Sequence, residues 1–268
     1  MEVWLLAQPG GRAYSGLILL VEGVLVVGGL LLFWAVYRRF LQEKIRWENA
    51  AAFQRPPEKL VRSLESWDVV SFDLFDTLLR RPVEKPTEIF RLVGEKLGDS
   101  RFASRRIQAE QRARQGRPSG EVTLEEIYMA MGSFPGKETA KSLELELEAS
   151  LCFADSYMLR LWEELHKAGK PLIVLSDMYL PASFLERLLE KAGYSAPTRL
   201  FVSCEYRQSK HRGGLFQVAR QELGKEKRIL HIGDNYGSDV QQARRMGWQA
   251  LWYPGPENSR VLESHTNP

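Results

Sequence analysis

Asp73, Asp76, Ser176, Lys210, Asp234 and Asp239 stand at or just beyond the ends of short apolar runs. Asp73 and Asp76, with Thr77 beside them, follow Val69-Val70-Ser71-Phe72. Ser176-Asp177 close Leu172-Ile173-Val174-Leu175, and Asp234 and Asp239 come after Ile229-Leu230-His231-Ile232-Gly233. Lys210 lies beyond Leu200-Phe201-Val202-Ser203. Clustered carboxylates repel unless a cation joins them, and a set this rich in oxygen favours Mg2+. A divalent metal and a lysine together offset the charge of a phosphoryl group and of its transition state. A serine hydroxyl and nearby N–H groups can hold phosphoryl oxygens. An aspartate free to attack would form an aspartyl-phosphate. The chemistry that suits this set is phosphoryl transfer.

For these residues to meet, the apolar runs must be neighbouring strands. Each is short, rich in β-branched residues and bounded by turn formers, as a buried strand is. From Pro171 onward they alternate with helical patterns: 182–192 stopped by Gly193, 215–223 stopped by Gly224, and 239–246 stopped by Gly247. A last strand is expected at 250–253. Such alternation implies right-handed crossovers and a parallel sheet, so the fold class is α/β. The carboxyl ends of the strands then line one edge, where open α/β sheets bind ligands. Between the first and second strands, residues 83–169 carry only helical patterns, one of them opened by the capping-box spacing of Thr123 to Glu126. They are expected to form a helical insert.

The 268 residues are 44% apolar and 26% charged, enough to bury a core. A net charge of +3, with bases and acids interleaved, argues against a nucleic-acid partner. Cys152 and Cys204 are the only cysteines and have no metal-ligand spacing, as expected of a reducing compartment.

Gly16 to Val36 is an apolar run with a single charge, Glu22. As a helix it would cover about 30 Å, the thickness of a bilayer core. Only Arg12 precedes it among basic residues, whereas Arg38, Arg39, Lys44 and Arg46 follow directly. This is the wrong order for a cleaved signal peptide and the right one for a single-pass anchor whose carboxyl side is cytoplasmic. Glu22 is either a contact with another membrane helix or one tolerated acid.

Taken together, Phe72-Asp73-Leu74-Phe75-Asp76-Thr77-Leu78, Leu175-Ser176-Asp177, Lys210 ahead of Gly213-Gly214, and Gly233-Asp234-Asn235-Tyr236-Gly237-Ser238-Asp239 resemble, in order, the four motifs of the haloacid dehalogenase (HAD) superfamily. The resemblance spans roughly Trp67 to Pro254. It implies a Rossmann-like parallel-sheet core with a C1-type helical cap inserted after the first strand; the apolar run at 16–36 adds one amino-terminal transmembrane helix to that fold. The expected parts are an anchor at 1–37, a juxtamembrane linker at 38–66, core at 67–82 and 170–258, cap at 83–169, and a tail at 259–268. By the same resemblance Asp73 is nucleophile and metal ligand, Ser176, Asp177 and Thr77 bind phosphate, and Lys210 neutralises charge. The Phe75 carbonyl and Asp234 would complete a Mg2+ site, and Asp239 would support either the metal shell or Lys210. Ser176-Asp177-Met178-Tyr179-Leu180-Pro181 and His231-Ile232-Gly233-Asp234-Asn235 also look like a bacterial subgroup associated with glycosyltransferases of surface-polysaccharide synthesis. That implies a membrane glycosyltransferase as partner and a small phosphorylated substrate, a phosphosugar or lipid-linked intermediate.

One position departs from the pattern. HAD phosphatases carry an aspartate two residues after the nucleophile as general acid and base, and here that residue is Phe75. Asp76 reaches the site only if the chain kinks; otherwise it fixes the loop. Loss of the acid leaves a phosphatase-type hydrolase or a catalytically weak domain serving as a scaffold, with dehalogenase chemistry as a third alternative, since that branch also lacks this aspartate although the metal-type loop at Asp234 suits a phosphatase better. His231 is expected as a satisfied core histidine, and His211 as a substrate contact or a surface residue. Arg105, Arg106, Arg112 and Arg114 would either hold an anionic substrate or form salt bridges on a solvated helix face. Tyr128, Tyr157 and Trp162 are read as core.

Overall fold

The computed structural model describes residues 21, 24–37, 51–83 and 85–255, and the chain divides into two units, 1–48 and 49–268. In the first unit residues 24–37 are helical, with Leu25, Leu32 and Phe33 exposed. Among the described residues no helix is long and apolar enough to cross a membrane. The span expected at 16–36 runs through residues that lie outside those described, including Glu22. So do Arg12, the basic residues from Arg38 to Arg46, and the tail.

The second unit is built on a five-stranded parallel sheet in the order β5-β4-β1-β6-β7. Its strands are β1 Val69–Phe72, β4 Leu172–Ser176, β5 Arg199–Val202, β6 Ile229–Gly233 and β7 Gln249–Trp252. Every residue of β1, β4 and β6 is buried, as expected of strands covered on both faces. β1 is central. Later strands leave first to one side of it and then to the other, so its carboxyl end lies at the topological switch point.

A short antiparallel ribbon, β2 Leu79–Arg80 paired with β3 Phe153–Ala154, is the neck of the insert. Beyond it are four helices, Glu88–Leu97, Phe102–Arg114, Leu124–Ala130 and Lys137–Leu151. Thr123 and Glu126 form the expected capping box.

Two boundaries differ from the sequence expectation. The helix Ser156–Lys167, assigned to the cap by periodicity, lies after the neck and packs on the sheet, with Trp162 5.3 Å from Phe72. Asp155 caps it by accepting from the Tyr157 and Met158 N–H groups at 3.0 Å. Residues 57–64, assigned to the linker, form a helix that starts on Pro57 and buries Leu60 and Leu64 in the core. A proline at the first helical position and leucines four apart are the local cause. A solvated spacer would bury neither.

Candidate active site

The strand register brings the candidate residues to one edge. Phe72 pairs with Val174 on one side and Ile232 on the other, so Asp73, Ser176 and Asp234 fall within about one residue step along the sheet. The ladder continues into Asp73, whose N–H donates to the Ile232 carbonyl at 2.8 Å. The chain then turns. Leu78 and Leu79 N–H both donate to the Leu74 carbonyl, at 2.9 and 2.8 Å, and Asp76 N–H donates to the Leu79 carbonyl at 2.7 Å. Asp76 sits in the left-handed region, φ 62°, which costs a non-glycine residue roughly 1–2 kcal/mol and which Asp tolerates better than most. Because the peptide is trans, the Phe75 carbonyl points away from the Leu79 carbonyl.

Lys210 is buried and its ammonium donates to Asp73 Oδ1 and, at 2.7 Å, to Asp239 Oδ1. Burial alone would push its pKa down, but Asp239 and Asp73 outweigh burial and hold it above the ordinary value. The Asp177 carboxylate accepts the backbone N–H groups of Lys210 and His211, at 2.6 and 3.1 Å. In this structure Asp177 therefore anchors the lysine loop. Thr77 is likewise engaged, accepting from Asp234 N–H at 3.1 Å and donating to Asp234 Oδ1 at 3.4 Å. It ties the first loop to the last.

Asp239 is saturated with protein donors. Its Oδ1 takes Lys210 Nζ, His231 Nε2 at 3.4 Å and the Ser238 hydroxyl at 3.4 Å, and its Oδ2 takes Asn235 N–H at 2.9 Å. Burial works to raise its pKa, yet Lys210 and His231 prevail and lower it. His231 is fully buried, edge-on to Phe216 at 5.2 Å, with Nδ1 2.8 Å from the Ser71 hydroxyl. Burial depresses its pKa, so the ring is neutral. An ionised carboxylate only accepts, which assigns the proton to Nε2 and makes Nδ1 the acceptor of the Ser71 hydroxyl. The core histidine expected from sequence is thus also the second support of Asp239.

Asp73, Asp234 and Asp239 each offer a carboxylate oxygen within 4.8 Å of the others. Burial, opposed by Lys210, raises Asp73 well above the ordinary carboxylate range, with the charges of Asp239 and Asp234 adding to it. Burial, then Asp239, pushes Asp234 up to about 6. Three carboxylates facing one ammonium leave two negative charges, which a divalent cation would neutralise. The donor set fits Mg2+. Asp73 Oδ2 and Asp234 Oδ2 accept from no protein donor among the described residues and would be the atoms to hold it.

The corner beyond Asp73 is different. The Arg81 guanidinium lies over the Phe75 ring at 4.5 Å and donates to Glu148 at 3.0 Å. Asp76 has a side chain 59% exposed, 3.8 Å from Arg81. The chain does kink at Asp76, but the side chain turns toward Arg81 and solvent and bonds neither Asp73 nor Lys210. Asp76 acts on Asp234 through its charge, but among the described residues this expected catalytic acid makes no direct bond within the site.

The cap arginines form the salt bridges that were one of the two sequence alternatives, with Glu110 bridging Arg106 and Arg114, and only the burial of Arg106 departs from a solvated face. Arg106 is fully buried inside the cap, in a bidentate pair with Glu144 at 2.9 and 2.8 Å. Arg105 pairs with Asp99 and Arg114 with Glu110, while Arg112 donates to the Ala130 carbonyl. What the sequence reading did not find is the seam where cap meets core. Arg207 donates to Glu126 at 2.7 and 2.9 Å and to the Glu121 carbonyl at 3.0 Å, and the Ser203 hydroxyl donates to Glu121 at 2.5 Å. Tyr179 donates to Glu144 at 3.3 Å. The available signal was proximity in sequence: Arg207 and Arg212 flank Lys210, and Tyr179 closely follows Ser176.

A core with this strand order, an insert on a two-stranded neck and four converging loops defines a class of hydrolase. Residues 67–247 match the family model described as haloacid dehalogenase-like hydrolase, and the chain belongs to that family. Among solved structures it is similar to 2-haloacid dehalogenase from Pseudomonas syringae pv. Tomato, at 17% identity and TM-score 0.54 over 70% of this chain and 86% of that one. L-2-haloacid dehalogenase from Xanthobacter autotrophicus, with chloropropionic acid covalently bound, matches at 16% and 0.51 over 75% and 84%. A magnesium-bound HAD hydrolase from Bacillus subtilis, YfnB, matches at 15% and 0.51 over 69% and 88%. At these identities the likeness is one of fold. No curated protein matches.

Proposed function

We propose that this HAD-family hydrolase is a Mg2+-dependent phosphatase acting on a small phosphorylated metabolite. The observation that carries the reading is the charge excess of Asp73, Asp234 and Asp239 around Lys210, which asks for a divalent cation and suits a phosphoryl group. Asp73 attacks phosphorus; the Asp73–phosphorus bond forms as the bond to the leaving oxygen breaks, giving an aspartyl-phosphate. Lys210, held by Asp239 and Asp177, offsets charge on Asp73 and on the phosphoryl oxygens. Ser176, buried at the end of β4, holds a phosphoryl oxygen. Water then attacks phosphorus and returns Asp73 as carboxylate and the phosphate as product. The bound metal would supply further neutralisation of the phosphoryl oxygens. Phosphate release from a panel of phosphomonoesters with Mg2+ tests this; activity equal to that of Asp73→Asn on every substrate would sink it.

A second reading has Phe75 in its favour. With an apolar ring under Arg81 at the position where HAD phosphatases carry an acid, leaving-group protonation and water activation lose that side chain. The domain would then act chiefly as a scaffold for a membrane glycosyltransferase. Phe75→Asp separates the two: general acid–base help is worth about 10²–10⁴ in rate. A rise of that order marks a working phosphatase slowed at this step, and an unchanged cellular phenotype in Asp73→Asn marks a scaffold.

The apolar run 16–36 and its exposed described side chains support a single-pass anchor with the hydrolase domain on the cytoplasmic side. Recovery of the chain in an alkali-washed membrane fraction is the expected result, and release by the wash is the contrary one.

A further inference from the structure

A cleft of about 660 Å³ opens beside the lysine loop, lined by Arg117, Ser119 and Glu121 from the cap and by Arg207, Ser209 and Arg212 from the core. Its size is that of a small-molecule site. Gln208 and Ser209 immediately precede Lys210, and Arg212 lies two residues beyond it, so each has its Cα at most about 7.6 Å from that of Lys210. The cleft therefore lies beside the loop that presents the ammonium to Asp73.

Its charges do not cancel. Glu126 pairs with both Arg117, at 2.8 Å, and Arg207, at 2.7 Å. Glu121 is the one acid among the lining residues, and its carboxylate accepts from the Ser203 hydroxyl at 2.5 Å. Three guanidiniums thus face two carboxylates. Arg212 is the one without a carboxylate within ion-pair distance among the described residues: one nitrogen donates to the Pro118 carbonyl, Glu121 acts on it only at longer range, and its side chain lines the cleft.

We propose that Arg212 receives a second anionic group of the substrate, so that the preferred substrate class is a phosphomonoester with a carboxylate or a further phosphate at its far end. Arg212 is then a specificity-determining residue. The inference rests on the phosphatase reading for the position of the reacting phosphate. The arginine fork binds such a group with paired charge-assisted hydrogen bonds.

The test is hydrolysis by the full chain, with Mg2+, of O-phosphorylated ω-hydroxycarboxylic acids of about two to six carbons, against alkyl phosphates of equal length. The readout is the ratio of kcat/KM within each pair, from which any general loss of activity cancels. The expected ratio is about tenfold or more at one chain length. It should fall to near unity in Arg212→Gln and recover in part in Arg212→Lys, which keeps the charge and loses the fork. A ratio near unity in the unaltered protein, or a preference that survives Arg212→Gln, overturns the proposal. Calorimetric binding of the matching phosphonocarboxylates and alkylphosphonates keeps the two readings apart. Binding that favours the carboxylate and depends on Arg212, without hydrolysis of any ester, would uphold the cleft and sink the phosphatase. Hydrolysis without any such preference would do the reverse.

Discussion

Arg106 in the cap and Lys210 in the core are both buried cations held by carboxylates, yet the charge around them closes in one and not in the other. Arg106 meets Glu144 in a bidentate pair, has Glu110 at 3.1 Å, and lies 4.4 Å from the Phe90 ring and 4.9 Å from that of Tyr179. Tyr128 and Tyr179 donate to the same Glu144. Burial would depress Arg106, but Glu144 and the groups around it raise it. Nothing in that cluster calls for a ligand. Lys210 faces Asp73 and Asp239, with Asp234 close by, and both Asp73 and Asp234 are pushed up. A satisfied buried ion pair positions structure. A buried cluster with excess charge of one sign costs stability until a ligand arrives, and that cost marks a site.

The contrast can be broken most severely at Arg106. Glu144→Ala should destabilise the fold by about 3–5 kcal/mol in denaturant unfolding, because it leaves a buried guanidinium without its principal partner. A loss below about 1 kcal/mol would mean that Glu110 and the rings suffice. Asp73→Asn should do the opposite at the other cluster. It removes one of three repelling carboxylates, so it abolishes hydrolysis while leaving the metal-free melting temperature unchanged or higher.

The pH dependence of metal-free stability sharpens the same point. Asp234 titrates at about 6 in the fold, above its ordinary 3.8, and Asp73 is displaced in the same direction. Between those pH values the folded chain binds more protons than the unfolded one, so stability falls as pH rises through that window. Asp234 alone accounts for about 3 kcal/mol at most, at about 1.4 kcal/mol per unit. The melting temperature in chelator should be higher near pH 5 than near pH 7.5. Mg2+ should raise it near pH 7.5, and by less near pH 5. No response to Mg2+ at either pH would dissolve the distinction between the two clusters.

The smallest expected effect is at His231. His231→Asn keeps a donor for Asp239 on a shorter side chain and lets Lys210 drift, so kcat should fall about tenfold with KM little changed, as for a loss of roughly 1.4 kcal/mol in positioning. An equal change in KM would point to binding instead.

Much of this was legible in the chain. Apolar runs that end in Asp73, Ser176 and Asp234 specify strands and the edge on which their ends collect, because a run buried on both faces belongs to a parallel sheet whose carboxyl ends align. The capping box at Thr123 opened the helix it was expected to open. Local pattern did not assign helices to domains. The periodicity of 156–167 is the same whether it packs in a cap or on a sheet, and the Phe72–Trp162 contact decides. It also could not say that Arg106, at the spacing of an exposed salt-bridge ladder, turns inward to Glu144, which lies on another helix.

At the site the sequence by itself determined which carboxylates, hydroxyl and lysine converge, since motif order and strand polarity leave them one edge. Only the tertiary structure decided what each touches. It turned Asp76 outward through a left-handed residue, spent Asp239 on Lys210 and His231, and set Arg212 in a cleft formed by two segments far apart in the chain. The reason is physical. Period and composition fix the face a residue occupies, whereas hydrogen-bond partners and charge balance are set by neighbours that are distant in sequence and close in space.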